Sequence, residues 1–261
     1  MAQQTHQSDP RVLNRRTLNQ DHRTLANLLQ PGMRVLDVGC GTGAITAGIA
    51  EAVGRAGRVV GIDRDASLVE LARKDHKHIT NLSFAQRDVL ALTEEAVFDI
   101  VTAARALQWI SNPFQALVQM VAATKRLGMI VVLDYNHQDN SWDPSPPLEF
   151  VRFYDAFLAW RAANQWDNCI ADHLPSMFAS AGLGQIEEQD DREISSRGEP
   201  GFESATAIWP HVMETIGLTI VSAGFLNEME RKQAMDRYEN YRRTSLATQC
   251  LAIKTIVGSR Q

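Results

Sequence analysis

From Leu25 to Tyr135, short apolar runs alternate with amphipathic stretches. Val35, Leu36 and Val38, then Val59, Val60 and Ile62, and later Met129–Leu133 have the nearly continuous apolar character of strands buried on both faces. The pattern predicts strands at Arg34–Val38, Val59–Asp63, Leu82–Arg87, Phe98–Ala103 and Met129–Tyr135, with helices at Ala44–Val53, Ser67–Lys74 and Phe114–Thr124. Such alternation implies an α/β fold, a doubly wound and mainly parallel sheet with helices on both faces. Ahead of it, Val12–Leu29 carries leucines at mostly helical spacing, and Pro31-Gly32 stops that predicted helix (residues 12–30) before the first strand. Met1–Pro10 is polar and reads as disordered.

Beyond Tyr135 the rhythm changes. Asn136–Pro147 reads as a loop, and Leu148–Asn164 as a helix with an aromatic stripe of Phe150, Phe153, Tyr154, Phe157 and Trp160. A helix at Asp172–Ala181, a strand at Gly184–Gln189, further helices over Gly201–Thr248 and a last strand at Gln249–Val257 complete the reading. The chain is thus expected to be one domain over residues 1–261. Its core covers 31–135, and helical cap segments at 136–183 and 192–248 form a lid, because long connections in compact domains are usually functional.

The chemistry concentrates where strands end. Asp37 precedes Gly39-Cys40-Gly41-Thr42-Gly43, and glycines there permit a tight turn and close approach of backbone to a ligand. A helix follows directly, so the ligand lies near its N-terminus. Gly39-x-Gly41-x-x-Ala44 also fits the dinucleotide-binding fingerprint, so the glycines alone do not choose between an adenosyl and a nicotinamide cofactor. Asp37 interrupts an apolar strand, and a carboxylate at that depth needs a cationic or hydrogen-bonding partner such as an amino group. Asp63, about 20 residues past the glycines, is placed to accept ribose hydroxyls. Asp88, ending the third strand, is placed to accept from an adenine amino group. Asp99 precedes a strand and reads as a turn residue.

Asp37-x-Gly39-x-Gly41-x-Gly43, Asp63, Arg87-Asp88-Val89 and Phe98-Asp99-Ile100-Val101 together resemble the ordered motifs of class I S-adenosylmethionine-dependent methyltransferases. The resemblance covers roughly Leu25 to Tyr135. Ala106-Leu107-Gln108-Trp109-Ile110 and Asn112-Pro113 resemble the small-molecule branch of that family. One departure is Lys125-Arg126-Leu127-Gly128, where the family usually has Lys-Pro-Gly-Gly before the fifth strand. The resemblance implies a Rossmann-like sheet of seven strands with an antiparallel last strand, and S-adenosyl-L-methionine as cofactor with S-adenosyl-L-homocysteine as product. It implies cofactor contacts from Asp37, Gly39, Cys40, Gly41 and Gly43, from Asp63 and Arg64, from Asp88 and Val89, and from Arg105 and Trp109. The implied partner is a small or medium-sized, partly apolar molecule. An N-terminal helix that folds over the methionine end is also implied, with Arg15, Arg16, His22 and Arg23 as candidates for the cofactor carboxylate. A nicotinamide-dependent oxidoreductase and a non-catalytic nucleotide-binding module remain as alternatives.

Bulk properties narrow the field. A net charge of −5 argues against nonspecific nucleic-acid binding. The basic stretch Arg231–Arg243 is interspersed with acids and reads as a solvated helix face. Three widely spaced cysteines, Cys40, Cys169 and Cys250, form neither a disulfide framework nor metal-ligand spacing, and fit a reducing compartment. No apolar run reaches the length of a membrane span, and a cytoplasmic enzyme without bound metal is expected. Methyl transfer can draw much of its acceleration from positioning. If the acceptor must lose a proton, His137, just beyond the fifth strand, is the candidate base.

Overall fold

In a computed structural model, which describes residues 9–261, the chain forms two compact units. One comprises residues 9–134, 170–190 and 254–261, and the other residues 135–169 and 191–253. The expected disorder of Met1–Pro10 falls almost wholly outside the described residues.

In chain order, helices α1 (Pro10–Leu13), α2 (Leu18–Asp21) and α3 (Arg23–Leu28) precede strand β1 (Arg34–Val38) and helix α4 (Ala44–Val53). Then come β2 (Arg58–Asp63), α5 (Ala66–Asp75), β3 (Leu82–Gln86), β4 (Phe98–Ala104), α6 (Pro113–Ala123) and β5 (Thr124–Tyr135). Next are β6 (Ser141–Asp143), α7 (Leu148–Ala163), α8 (Ile170–Ser180), β7 (Leu183–Asp190) and β8 (Glu193–Ser196). The chain finishes with α9 (Phe202–Thr206), α10 (Ile208–Glu214), α11 (Ile216–Ser222), α12 (Glu228–Thr244), β9 (Thr248–Leu251) and β10 (Ile253–Arg260).

The first unit is built on a seven-stranded sheet in the order β3-β2-β1-β4-β5-β10-β7. The pairs among β1 to β5 are parallel, and β10 pairs antiparallel with β7. Alternate residues of the same strands feed opposite faces, as the period of two requires. Leu36, Val38, Val101, Ala103, Ile130 and Val132 pack with Leu117, Met120, Leu174 and Phe178. Val35, Ile100 and Val131 pack instead with Leu18, Leu25, Ile45 and Ile49. The strands are mainly apolar on both faces because both faces are covered. Asp99, read as a turn residue, lies inside β4; it accepts from the Arg34 backbone amide (2.8 Å) and from Lys125 Nζ (2.6 Å). The unusual Lys125–Gly128 sequence is carried as an irregular stretch of β5, with Leu127 at a φ of 65° and largely exposed.

Four expectations are corrected. The single helix at 12–30 is three short ones. Helix α1 ends at Leu13, Thr17 caps α2 through the Gln20 amide (3.3 Å), and His22, with a φ of −153°, breaks α2 from α3. The loop 136–147 contains a strand, and the last strand, read as one, is two that belong to different sheets. The break is at Ala252: its N–H donates to Asn140 Oδ1 (2.8 Å) and its carbonyl accepts from the Asn136 amide (2.9 Å), which takes it out of either ladder. Finally, helix α8 lies in the sheet unit rather than with the preceding cap segment, its Leu174 and Phe178 buried beside Leu183 and Ile256.

The second unit has a three-stranded antiparallel sheet, β6-β9-β8, which periodicity alone does not reveal in such short strands. Its aromatic residues are core: Phe150, Phe153, Phe157, Trp160 and Tyr238 are almost fully buried. Helix α12 is mainly solvated, as its mixed charge predicts, although Arg231, Tyr238 and Tyr241 face inward. Buried Gln249 on β9 satisfies two aromatic polar handles at once, accepting from Trp142 Nε1 (3.3 Å) and Tyr238 Oη (3.0 Å). Gln249→Met keeps the volume but orphans two buried donors, so it should lower stability by about 2–4 kcal/mol. Urea denaturation followed by tryptophan fluorescence measures this; an unmoved midpoint would contradict the assigned network.

Candidate active site

The carboxyl ends of β1, β2 and β4 are set by register. Asp37 lies beside Gly61 on β2 and Thr102 on β4, and Val38 lies beside Ile62 and Ala103. After Val38 the chain turns back over this edge through Gly39, Gly41 and Gly43, all with positive φ. At Gly43 (φ 80°) an added Cβ would lie 2.5 Å from Phe84 Cζ, so the position demands glycine for space as well as conformation. Gly41 (φ 55°) donates its N–H to Asp63 Oδ2 (2.9 Å), while Asp63 Oδ1 accepts from the Asp65 amide (2.9 Å). Each oxygen keeps a further lone pair for another donor. Burial pushes the Asp63 carboxyl up, and the two backbone N–H bonds oppose that push.

Asp37 is buried on the α4 side of the sheet and accepts from Thr46 Oγ1 (2.6 Å). Desolvation, only partly offset by Thr46 and reinforced by the nearby Asp63 charge, raises its carboxyl to about 7. A buried acid with one neutral donor is where a cationic ligand group gains most. The Cys40 thiol beside it is pushed well up, by burial first and then by Asp37 and Asp63, so it is an unreactive neutral group. Thr42 is buried, and its Oγ1 has no hydrogen-bond partner among the described residues. Leu13, Arg16, Asp37, Gly39–Thr42 and the first residues of α4 line one cleft. Helix α4 begins at Gly43 without a side-chain cap, leaving its first N–H groups available to a ligand.

The other sequence candidates are placed as follows. Arg64 is exposed just past Asp63. Asp88 is also exposed, and its Oδ1 takes the Leu90 amide (2.9 Å) to start a single 3-10 turn, while Val89 faces the core. Arg105, at a φ of 57°, is buried, and its guanidinium reaches the Asp21 backbone carbonyl (3.2 Å) and lies 3.8 Å from the Asp21 carboxylate. Trp109 ends a 3-10 turn that follows Arg105, partly exposed. That turn is held by an acid the sequence reading passed over: fully buried Asp134, at the end of β5, accepts from the Gln108 amide (3.1 Å). Its signal was an acid closing an apolar strand, the same one that marks Asp37 and Asp63. Leu13 and Thr42 were also missed, because apolar and hydroxyl side chains carry no periodic signature of a site.

His22 is buried in the sheet unit. The Thr102 hydroxyl donates to the Val131 carbonyl (2.9 Å) and therefore accepts from His22 Nε2 (3.0 Å). Burial and then the Arg105 charge push the imidazole down to about 3, so it is neutral. His137 belongs to the second unit, where its ring stacks on Tyr135 and meets the edge of Phe157. Burial and the Arg161 charge hold it well below an ordinary histidine, which makes it a weak base. No group of three or more metal-ligating side chains occurs among the described residues.

Comparison with known proteins fits this geometry. Residues 29–182 match the family described as methyltransferase domain. The chain is 28% identical over 173 residues to the demethylmenaquinone methyltransferase of Staphylococcus haemolyticus, a match covering 59% of this chain and 70% of that protein. It is 33% identical over 143 residues to the 2-phytyl-1,4-naphtoquinone methyltransferase of Synechocystis, covering 53% and 58% respectively. Among solved structures, phosphoethanolamine N-methyltransferase 2 of Haemonchus contortus, in complex with phosphomonomethylethanolamine and S-adenosylhomocysteine, superposes with a TM-score of 0.60. That match covers 93% of this chain and 52% of the other at 15% identity, which is a likeness of fold.

The Asp37 environment yields a stability prediction with a definite sign. Its folded-state carboxyl lies above its unfolded value, so stability is fully present below pH 4 and is lost as pH rises toward 7. Asp37→Asn removes that loss. The variant should gain on the wild type between pH 4 and 7, with the difference levelling off above, in denaturation curves taken across this range. A difference that does not change with pH would contradict the buried, weakly compensated carboxyl.

Proposed function

The chain belongs to the methyltransferase domain family, with S-adenosyl-L-methionine as its cofactor, and on that premise we propose that it methylates a small, partly apolar acceptor. When bound, the cofactor supplies an electrophilic methyl group. The observation that carries the reading is the cleft over Gly39–Thr42, with its buried carboxylate, orphaned hydroxyl and uncapped helix start. Asp37 answers a cationic amino group, and Asp63, held rigid by two backbone amides, offers its remaining lone pairs to the ribose hydroxyls. On this reading exposed Asp88 and Arg64, which follow β3 and β2, belong to the adenine side, while Val89 packs in the core; Arg105 and Trp109 follow β4 next to the cleft residue Ala104. Arg16 and Thr42 share the same cleft and suit a carboxylate.

For the acceptor, the quinone-directed relatives support a reduced, alkyl-substituted naphthoquinone, whose electron-rich ring carbon attacks the methyl group and then loses its proton. The chain's part in such a displacement is chiefly positioning and exclusion of water. His137, neutral and poorly basic, is a weak candidate for taking that proton.

The test is methyl transfer from labelled cofactor to a reduced 2-alkyl-1,4-naphthoquinone, with phosphoethanolamine as a contrasting hydrophilic acceptor. Label should appear in the naphthoquinone; transfer only to phosphoethanolamine, or to neither, would overturn the acceptor class. Asp63→Ala should weaken binding of S-adenosylhomocysteine about 10- to 100-fold, because charge-assisted hydrogen bonds contribute roughly 1.5–3 kcal/mol each. An unchanged dissociation constant in folded Asp63→Ala protein would refute its assigned role.

A further inference from the structure

The amides of the glycine loop are tied to β2 and to the loop itself. Those of Gly39 and Cys40 go to the Ile62 carbonyl, and that of Gly41 goes to Asp63. Thr42 is held from elsewhere. Its carbonyl accepts from the imidazole Nε2 of His76 (3.1 Å), 34 residues further along the chain. A carbonyl can only accept, so Nε2 carries the proton of this bond. On the other side of the same peptide, the Gly43 amide donates to the Cys40 carbonyl (2.9 Å). The planar unit between Thr42 and Gly43 is therefore pinned at both its polar ends, which fixes its orientation.

His76 is itself well held. It is the C-cap of α5, with its own amide on the Ala72 carbonyl. Its ring tilts against that of Phe84, the centroids 5.9 Å apart. Both rings come up beside Gly43, where an added Cβ would stand 2.5 Å from Phe84 Cζ and 3.0 Å from His76 Cδ2. At its other end α5 is capped by Asp65, whose amide donates to Asp63 Oδ1 (2.9 Å). One helix thus braces both the acid that meets Gly41 and the carbonyl of Thr42.

The Thr42 side chain is buried in the lining of the cleft, and its hydroxyl has no hydrogen-bond partner among the described residues. A buried hydroxyl in that state is costly until a ligand meets it. It branches from the Cα that the pinned peptide fixes, so its direction follows that peptide.

We propose that His76 is a positioning residue for the cofactor: by holding the Thr42 carbonyl, it aims the Thr42 hydroxyl at the carboxylate of the cofactor's amino-acid end. This rests on the cleft being the cofactor site. His76 acts through Thr42 and not on the ligand, so its effect is confined to one end of the cofactor. A residue that merely stiffened the fold would affect both ends alike.

The test compares two ligands on matched variants. S-adenosylhomocysteine has the amino-acid end, and 5′-methylthioadenosine lacks it. His76→Gln and His76→Met have side chains of nearly equal length, but only Gln keeps a donor. In titration calorimetry His76→Met should bind S-adenosylhomocysteine about 5- to 20-fold more weakly than wild type, the scale of a charge-assisted hydrogen bond lost in part. Its affinity for 5′-methylthioadenosine should be unchanged. His76→Gln should recover most of the loss. His76→Phe keeps a ring against Phe84 without the donor and should behave like His76→Met, so either variant suffices if the other fails to fold. In a Thr42→Val background, where the hydroxyl is gone, His76→Met should cause no further loss. Unchanged affinity for S-adenosylhomocysteine, equal losses for both ligands, or a Gln variant as weak as the Met one would overturn the assignment and leave the cofactor reading intact. So would a full further loss in the Thr42→Val background. Wild-type protein that binds neither ligand would overturn the cofactor reading, and the role of His76 with it.

Discussion

The site depends on one hydrogen bond, from the Gly41 amide to the carboxylate of Asp63. The Gly39 and Cys40 amides are tied to the Ile62 carbonyl and the Gly43 amide to that of Cys40, and the chain pays for the remaining bond, at Gly41, by burying an acid at the end of β2. The parallel register that brings Val38 beside Ile62 sets the distance. Gly43 closes the other side, where only a missing side chain lets the loop pass Phe84. The sheet thus fixes two strand ends, and the bond between them fixes the loop on which α4 begins.

The same arrangement concentrates negative charge. The Asp63 charge disfavours that of Asp37, and Asp134 is buried at the end of β5. The Asp37 carboxyl is met by the neutral hydroxyl of Thr46. A cleft built this way is poorly satisfied by water and well satisfied by a ligand that brings a cation and several donors. A methyltransferase cofactor is such a ligand, with an ammonium group, a sulfonium and ribose hydroxyls.

Much of the sheet unit was legible in the sequence because its signals are local. Buried parallel strands announce themselves as apolar runs, and Asp37 and Asp63 stand out against them. Strands β1 to β4 and β7, the glycine loop and most helix limits follow to within a residue or two, whereas β5 begins at Thr124 rather than Met129. What escaped reading is held by contacts distant in sequence. The division of the last strand at Ala252 depends on Asn136 and Asn140, more than a hundred residues earlier. Strands β6, β8 and β9 are too short for their alternation to register, and they exist because each pairs with another. The N-terminal leucines have helical spacing, yet Thr17 and His22 cut that stretch into turns, since a hydroxyl cap and an out-of-helix φ outweigh the apolar pattern. Leu13 was invisible as a site residue for the same reason: only the fold brings it to Gly41.

The central claim is that this cleft accepts an adenosyl-sulfur cofactor rather than a dinucleotide, although the glycine spacing fits both. Titration calorimetry of the purified chain with S-adenosylhomocysteine and, separately, with NADH tests it directly. Saturable one-to-one binding of S-adenosylhomocysteine, with no heat from NADH at the same concentrations, is the expected result. Saturable NADH binding without S-adenosylhomocysteine binding would contradict the account.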